Sequence, residues 1–151
     1  MKIRPVTTAN RKYLSALVDA LADYEKLARP TRAARRRLLR DGCGPRRRFD
    51  AFLAYSGEKP VGYAIIFETY SSFLALPTLY LEDIFILPEY RRLGIGLRLF
   101  RRCVAEARRR GCGRMEWEVL DWNKNAIRFY EKLGARQLKT WLGFRLEISS
   151  G

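Results

Sequence analysis

The spacing of apolar and polar residues predicts two helices in the first part of the chain. After a short candidate strand at "KIRPV", apolar residues recur at helical spacing at Leu14, Leu17, Val18, Leu21, Ala22 and Leu27. We expect Thr8 or Asn10 to cap this helix and Pro30 to mark a break after it. A second helix is expected over residues 31–40, before "DGCG".

The middle of the chain is predicted to form three strands. "FDAFLAY" and "PVGYAIIFETY" flank "SGEK", which has the length of a hairpin turn, so two adjacent antiparallel strands are expected. "TLYLEDIFIL" follows and is apolar on both faces except at Glu82 and Asp83. A strand that is apolar on both faces is typical of a buried, central position in a sheet.

The rest of the chain predicts a helix, a strand, a second helix and a final strand or strands. The helix over about residues 94–110 has an apolar face made of Leu97, Phe100, Val104 and Ala107. "RMEWEVL" alternates like a strand, and a helix over about residues 125–133 precedes the strands expected in "RQLKTWLGFRLEI". The order β-α-α-β-β-β-α-β-α-β and the length of 151 residues predict one domain with helices packed on a mixed sheet.

The net charge of +14 is compatible with a polyanionic partner such as nucleic acid. However, the cations are 23 arginines against 7 lysines, a ratio that a codon bias towards arginine also produces. They fall in separate runs on predicted helix faces and loops, so a dedicated nucleic-acid role is disfavoured. The N-terminus lacks the apolar core of a signal peptide, and no apolar run approaches the roughly 20 residues that cross a bilayer, which indicates a cytoplasmic protein.

The chain contains no histidine, which excludes Ser-His-Asp and Cys-His catalysis and histidine-ligated metals. Its three cysteines, Cys43, Cys103 and Cys112, form no CxxC pair, so neither a disulfide framework nor a metal site is predicted. Proton transfer in an enzyme of this composition must use carboxylates, tyrosine, cysteine, lysine, backbone groups or water.

The stretch "EYRRLGIG", residues 89–96, joins the central strand to the next helix and places Gly94 and Gly96 in the first turn of that helix. The N–H groups and partial positive charge at a helix start attract anions, and glycines let a phosphate approach the backbone. Arg91 and Arg92 add positive charge beside this turn. A tight turn without a ligand is the alternative, since the spacing is neither a P-loop nor a complete GxGxxG fingerprint.

"RRLGIG" after "DIFILPEY", followed by "WNKNAIRFYEKLGA", resembles the GNAT superfamily of acetyl-CoA-dependent N-acetyltransferases. Together with "DYEKL" and "LLRDGCG", these motifs look like the diamine acetyltransferase branch, and the resemblance runs from "IRP" to "GFRLEI". It implies a single α/β (α+β) domain of the GNAT fold over residues 1–151. In that fold, one mixed, mostly antiparallel sheet with a central splayed parallel pair is flanked by about four helices. The resemblance also implies a homodimer.

The resemblance implies that acetyl-CoA is the acetyl donor and that no metal takes part. Backbone amides of the helix-opening turn would hold the CoA pyrophosphate, and those of the central strand would hold the pantetheine arm. The implied cofactor-binding residues are Ile84, Phe85, Ile86, Arg91, Arg92, Leu93, Gly94, Ile95, Gly96, Leu97, Asn123 and Ala126.

Two catalytic residues are also implied by the resemblance. Tyr130 matches the general acid that donates a proton to the CoA thiolate, and an aromatic residue packed on the sheet is the alternative. Glu82 matches the acidic residue that removes a proton from the amine, directly or through water, and a salt-bridged strand residue is the alternative. A primary amine is protonated at neutral pH, with a pKa of about 10.4 in lysine, so it must lose a proton before it attacks. We expect direct attack on the thioester, because no cysteine falls on the motif strands.

The resemblance implies an acidic cleft for a small cationic primary amine. The implied substrate-binding residues are Tyr24, Glu25, Glu82, Asp83, Glu116, Glu118, Asp121 and Trp122. Either Glu116 or Asp83 is expected to pair with an arginine. Polyamine-acetylating members carry an acidic residue before the last strand, where this chain has Trp141 and Leu142. A diamine, a polyamine and a lysine-like amino acid are therefore all compatible with the chain.

Two other functions are compatible with these motifs. Acetylation of a protein N-terminus or of a lysine side chain is the alternative activity, and it requires an open groove of peptide width. A CoA-binding or nucleic-acid-binding module that keeps the fold without catalysis is the alternative from another class. Strong, salt-dependent DNA binding without acetyl transfer would identify the latter.

Overall fold

A computed structural model describes residues 1–149 of the chain. Its helices and strands, in chain order, are β1 (Lys2–Pro5), α1 (Arg11–Tyr24), α2 (Arg32–Asp41), β2 (Asp50–Ser56), β3 (Lys59–Ser71), β4 (Leu76–Ile86), α3 (Ile95–Arg109), β5 (Arg114–Glu116) and α4 (Lys124–Lys132). The chain forms two compact units, Met1–Trp117 and the part from Glu118 onward. Among residues 1–149, no helix is both long and apolar enough to cross a membrane.

Five strands of the first unit form one sheet in the order β1-β2-β3-β4-β5. Neighbours from β1 to β4 are antiparallel, whereas β5 runs parallel to β4. The predicted mixed, mostly antiparallel sheet, the hairpin at "SGEK" and the four α-helices are therefore confirmed. The parallel pair lies at an edge of this sheet instead of its centre, because no strand follows β5 in the described part of the chain.

Helices cover both faces of the sheet in the first unit. Because alternate side chains of a strand point to opposite faces, a strand between two helical layers is buried along its length, as Val61–Ile66 of β3 is. The cluster on the α1 face comprises Leu14, Leu17, Ala51, Leu53, Tyr63, Ile65 and Phe85. On the other face α3 packs against β2, β3 and β4, and the guanidinium of Arg102 lies 4.8 Å from the centre of the Phe52 ring.

The first two helices begin where the sequence predicts. Thr31 caps α2, since its Oγ1 accepts a hydrogen bond from the Ala34 N–H at 3.1 Å. Asn10 occupies the N-cap position of α1, but its side chain accepts a hydrogen bond from the Thr7 N–H at 2.7 Å and does not cap the helix. Leu27 lies beyond the end of α1 and is 59% exposed, so its assignment to the apolar helix face is wrong.

The buried face of α3 coincides only partly with the predicted face. Phe100 and Ala107 are buried, whereas Leu97 and Val104 are half-buried. The buried residues of this helix are Ile95, Leu99, Phe100, Cys103 and Ala107. Cys103 therefore belongs to the core, where its thiol packs like a small apolar side chain.

The predicted final strand is wrong, because residues 136–149 form neither helix nor strand. A strand is stable only when its backbone N–H and C=O groups pair with a neighbouring strand, and the described part of the second unit contains none. The large apolar residues of this segment are exposed: Trp141, Leu142, Phe144, Leu146 and Ile148. For the strand predicted in "RMEWEVL", only Arg114–Glu116 is formed.

Candidate active site

β4 contains a β-bulge at Glu82. In the antiparallel pairing of β3 with β4, Ile65 lies opposite Asp83. The next residue of β3, Ile66, lies opposite Leu81, so Glu82 is an extra residue in β4. A bulge bends its strand and redirects side chains, and bulges are over-represented beside active sites. The carboxylates of Glu82 and Asp83, although adjacent in sequence, both line the same pocket.

This pocket has a volume of about 400 Å³, which lies within the range of small-molecule sites. Its wall combines apolar side chains with three charged ones, and the lining residues are Val18, Leu38, Arg48, Phe49, Ile65, Phe67, Glu82 and Asp83. Charges beside an apolar wall interact more strongly than charges in bulk water. Sequence analysis identified only the two acidic residues, because the others come from α1, α2, β3 and the loop before β2, which meet only in the folded chain.

Asp83 is held by a buried tyrosine. Tyr63 of β3 is fully buried, and its hydroxyl donates a hydrogen bond to Oδ2 of Asp83 at 3.0 Å. Burial raises the pKa of Asp83, the hydrogen bond from Tyr63 opposes this rise, and the negative charge of Glu25 adds to it. Burial also raises the pKa of Tyr63 well above its ordinary value, so the phenol is the donor. Sequence analysis missed Tyr63, although a polar-tipped residue within the apolar run "VGYAII" was a signal.

Glu116 and Asp83, one of which was expected to pair with an arginine, have different partners. Oε1 of Glu116 lies 3.8 Å from Nε of Arg114, as predicted for one of the pair. Asp83 bonds to Tyr63 instead, and no ion pair in residues 1–149 includes it. Asp83 therefore lines the pocket with a carboxyl group that is bonded to Tyr63 and has no arginine partner among the ion pairs of residues 1–149.

Tyr24 and Glu25 lie at the end of α1, close to the second half of β4. The Tyr24 ring lies 6.0 Å from the Phe85 ring, and the guanidinium of Arg91 stacks over Tyr24 at 4.4 Å. Burial raises the pKa of Glu25, and its charge acts on Asp83. Glu25 is thus close enough for its charge to act on Asp83, and the contact of Tyr24 and Glu25 with a substrate stays a prediction.

β4 and β5 separate beyond the pair Tyr80–Glu116, which is the last pairing between them. β4 continues to Ile86, and its last residues pair with β3 on one side and with no residue of β5 on the other. The carbonyl of Ile86 accepts a hydrogen bond from Nε of Arg91 at 2.9 Å, so this arginine is partly used in holding the loop. The backbone of Ile84 and Phe85 therefore pairs with β3 alone among the strands of the first unit, which suits an extended ligand that bonds to backbone groups.

The start of α3 offers backbone N–H groups to an anion. Its N-cap residue is Gly94, with a left-handed φ of 80°, and neither a side-chain cap nor an acidic residue occupies the first turn. A Cβ on Gly96 would lie 3.7 Å from its nearest neighbour, Cγ1 of Ile86, which is an ordinary contact, so packing does not require glycine there. Arg92 is exposed and has a φ of 64°, a conformation that is rare for residues with a side chain. This open surface fits a pyrophosphate that approaches the backbone.

The remaining candidate residues belong to the second unit. Burial raises the pKa of Tyr130, in α4, to about 12, so its phenol keeps its proton at neutral pH and is able to act as an acid. Asn123 is the N-cap of α4, and its Oδ1 accepts a hydrogen bond from the Ala126 N–H at 3.3 Å, which gives it a structural role. The exposed candidates before this helix are Glu118, Asp121 and Trp122.

None of the three cysteines lines the pocket. Cys103 is fully buried, and burial raises the pKa of its thiol to about 12. Burial also raises the pKa of Cys112. In residues 1–149 no group of three or more metal-ligating side chains is found. The pocket therefore offers carboxylates, and no thiol, for chemistry on an amine.

The first unit thus combines a mixed sheet, a pocket that contains two acidic residues, and a helix start without a side-chain cap. The model of the acetyltransferase (GNAT) family matches residues 13–135, and the chain belongs to this family. The resemblance seen in its motifs is thereby confirmed. The protein is an acetyltransferase, and its family uses acetyl-CoA.

Similar proteins include enzymes that act on small amines. Thialysine N-epsilon-acetyltransferase of Mus musculus is 32% identical over 157 aligned residues, which cover 97% of this chain and 92% of that protein. L-ornithine N5-acetyltransferase NATA1 of Arabidopsis thaliana is 47% identical over 85 residues, which cover 56% of this chain and 37% of that protein. Among solved structures, a probable acetyltransferase superposes with a TM-score of 0.82 and 22% identity over 100% of both chains, which shows the fold alone.

Proposed function

We propose that this protein transfers the acetyl group of acetyl-CoA to a primary amine of a small cationic substrate. The observation that carries the proposal is the bulge in β4, which brings the carboxylates of Glu82 and Asp83 to one apolar-walled pocket. Paired carboxylates attract an ammonium group, and a pocket of about 400 Å³ accommodates a small molecule. The thialysine and ornithine acetyltransferases among its relatives support a substrate of this kind.

Acetyl-CoA would supply the acetyl group as an activated thioester. The open surface at the start of α3 supports a pyrophosphate site formed by backbone N–H groups of residues 92–97, with the charge of Arg92 beside it. The edge of β4 at Ile84–Ile86, which pairs with no residue of β5, supports a backbone-bonded pantetheine arm. Asn123 and Ala126 are assigned to the same arm by the motif that contains them.

Glu82 acts as the base in the proposed mechanism. An arriving alkylammonium has a pKa near that of lysine, about 10.4, and its nitrogen becomes nucleophilic only when a proton leaves. Glu82 is exposed at the pocket and takes this proton directly or through a water molecule. Asp83, fixed by Tyr63, holds the cationic end of the substrate. Tyr130, assigned by its motif, would donate a proton to the sulfur of CoA as the C–S bond breaks, and the absence of a thiol from the pocket lining supports direct attack by the amine.

A thiol-release assay tests the proposed function. Acetyl-CoA is incubated with spermidine, spermine, putrescine, lysine, thialysine, a peptide with a free N-terminus, or no acceptor. Selective release of CoA with one of the small amines is the expected result. Release with the peptide alone would favour the alternative activity, acetylation of a protein N-terminus or lysine. No release with any acceptor would contradict the proposal.

Glu82→Gln is expected to weaken turnover and to alter the pH profile. A carboxylate base works only when ionised, so wild-type kcat/KM falls as the pH drops through the pKa of the base, and the variant should lose this acidic limb. The measurement is kcat/KM against pH with the best amine of the panel. Glu58→Gln, at the exposed hairpin turn, is the matched control and should keep the wild-type profile. A wild-type profile in Glu82→Gln would remove this residue from the role of base.

We further propose that one catalytic domain spans residues 1–151 and works in the cytoplasm. The family match over residues 13–135 runs across both compact units, which supports a single functional domain. The three cysteines are free thiols, in keeping with a reducing compartment.

A homodimer is the expected assembly. The exposed apolar residues of the segment 136–149 support it, because large apolar side chains that cluster in one segment are often covered in an assembly. Light scattering should give twice the chain mass of 17.6 kDa. Deletion of the segment from Trp141 onward should reduce the measured mass to that of a single chain. A monomeric full-length protein would contradict the prediction.

A further inference from the structure

The three arginines at positions 46–48 differ in what they contact. Arg47 forms an ion pair with Asp50. Arg46 is exposed and is not part of the pocket. Arg48 lines the pocket that also contains Glu82 and Asp83, and it takes part in no ion pair within residues 1–149. Arg48 is exposed, like Arg46, and it adds one positive charge to an apolar-walled pocket whose other charged residues are both acidic.

The backbone at Arg48 is anchored to the end of α2. Its N–H donates a hydrogen bond to the carbonyl of Asp41, at the end of α2, at 2.8 Å. The next residue, Phe49, packs against the core and lines the same pocket. The carboxylate of Asp41 is paired with Arg40, whose Nε lies 3.0 Å from its Oδ1, and the charge of Arg48 adds a smaller effect that also lowers the pKa of Asp41.

The charge pattern of the pocket discriminates between classes of amine. Glu82 and Asp83 attract an ammonium group of any small cation. The guanidinium of Arg48 repels the second ammonium of a diamine or polyamine, but it binds a carboxylate through paired hydrogen bonds. A molecule with an ammonium at one end and a carboxylate at the other satisfies both parts of the wall.

From this arrangement we propose that Arg48 binds the α-carboxylate of the acceptor, and that the enzyme therefore selects amino acids with a second, side-chain amine over diamines and polyamines. This inference rests on the proposed function. It names the substrate class of the same pocket. Arg48 acts on specificity, and the proton transfers remain with other residues.

The test compares acceptors that differ only in the carboxylate. Lysine is paired with 1,5-diaminopentane, and ornithine with putrescine. The wild-type enzyme should have a higher kcat/KM for the amino acid of each pair. Arg48→Gln should lower kcat/KM for lysine by about tenfold, as expected for loss of a hydrogen-bonded charge pair, through a higher KM. With 1,5-diaminopentane its kcat/KM should be unchanged or higher.

Two further variants separate specificity from folding. Arg46→Gln removes an equal charge from the same loop outside the pocket and should leave kcat/KM unchanged for both acceptors. Arg48→Lys keeps the charge without the planar fork and should retain part of the preference for lysine. The KM for acetyl-CoA should be unchanged in all three variants.

Three outcomes would overturn the inference. The first is a higher wild-type kcat/KM for the diamines. The second is an equal fall of kcat/KM for lysine and 1,5-diaminopentane in Arg48→Gln, and the third is a selective fall of kcat/KM for lysine in Arg46→Gln. If the wild-type enzyme acetylates small amines without regard to the carboxylate, only the role of Arg48 fails. If it acetylates no small amine at all, the proposed function fails with it.

Discussion

Tyr130→Phe is expected to lower kcat by about 10²-fold, the lower end of the usual contribution of general acid–base catalysis. The substitution removes one hydroxyl and keeps the aromatic ring, so packing is preserved while the proton donor is lost. The KM values for acetyl-CoA and for the amine should change little, because the hydroxyl acts only as the sulfur departs. Steady-state kinetics with the best amine of the thiol-release panel measures the effect.

The pH dependence provides a second test of Tyr130. Burial raises the pKa of its phenol to about 12, so the group stays protonated through the neutral and moderately alkaline range and loses its proton only as the pH approaches that value. Wild-type kcat should therefore show no alkaline decline attributable to Tyr130 below about pH 10. Tyr70→Phe, at a tyrosine that is 68% exposed, is the matched control and should leave kcat unchanged. An unchanged kcat in Tyr130→Phe would exclude the residue as the acid.

The local field of the pocket accounts for a cationic substrate on a protein of net charge +14. Many acidic residues outside the pocket are neutralised by arginines, in the pairs Arg29–Asp23, Arg35–Asp19, Arg40–Asp41, Arg47–Asp50, Arg109–Glu106 and Arg110–Glu106. Glu25 and Asp83 belong to none of the ion pairs found in residues 1–149. Steering of a small ligand depends on such local charges more than on the net charge.

The order of the elements was predictable because each depends on a local period. The apolar runs of β2, β3 and β4 and the glycine that precedes α3 are visible in short windows of the sequence. The motifs also predicted that Glu82, Asp83 and the helix start belong to one site, and this stays a prediction. These features need no knowledge of which segments meet in space.

Features that depend on register or on distant contacts were not predictable. An alternation pattern does not reveal one extra residue in a strand, so the bulge at Glu82 became visible only from its pairing with β3. The hydrogen bond between Tyr63 and Asp83 and the position of Arg48 in the pocket were likewise not predictable, because both depend on contacts between segments that are distant in sequence. The prediction of the final strand was wrong for a related reason. An apolar run near Trp141 has strand-like composition, but a strand also requires a neighbouring strand with which to pair.

Gly96→Ala is expected to weaken the binding of acetyl-CoA and, at the same time, to make the protein more stable. Glycine in a helix costs up to about 1 kcal/mol relative to alanine, so the free energy of unfolding should rise by several tenths of a kcal/mol or more. The added Cβ has room, because its nearest neighbour, Cγ1 of Ile86, lies 3.7 Å away. The same methyl group would hold a pyrophosphate away from the backbone N–H groups at the start of α3. Loss of about two charge-assisted hydrogen bonds corresponds to an increase of about 10²-fold in the Kd of acetyl-CoA.

The opposite signs of the two effects distinguish a ligand site from a structural turn. Denaturant unfolding measures stability, and calorimetric titration with acetyl-CoA measures affinity. Ala105→Gly, at an exposed position of the same helix, is the matched control and should reverse the pattern, lowering stability while leaving the Kd unchanged. If Gly96→Ala raised stability without raising the Kd of acetyl-CoA, the glycine would not be needed for ligand binding. The proposal of a pyrophosphate site at this helix start would then be wrong. If affinity falls while stability rises, the glycine is retained at a cost in stability because the cofactor needs the space that a methyl group would fill.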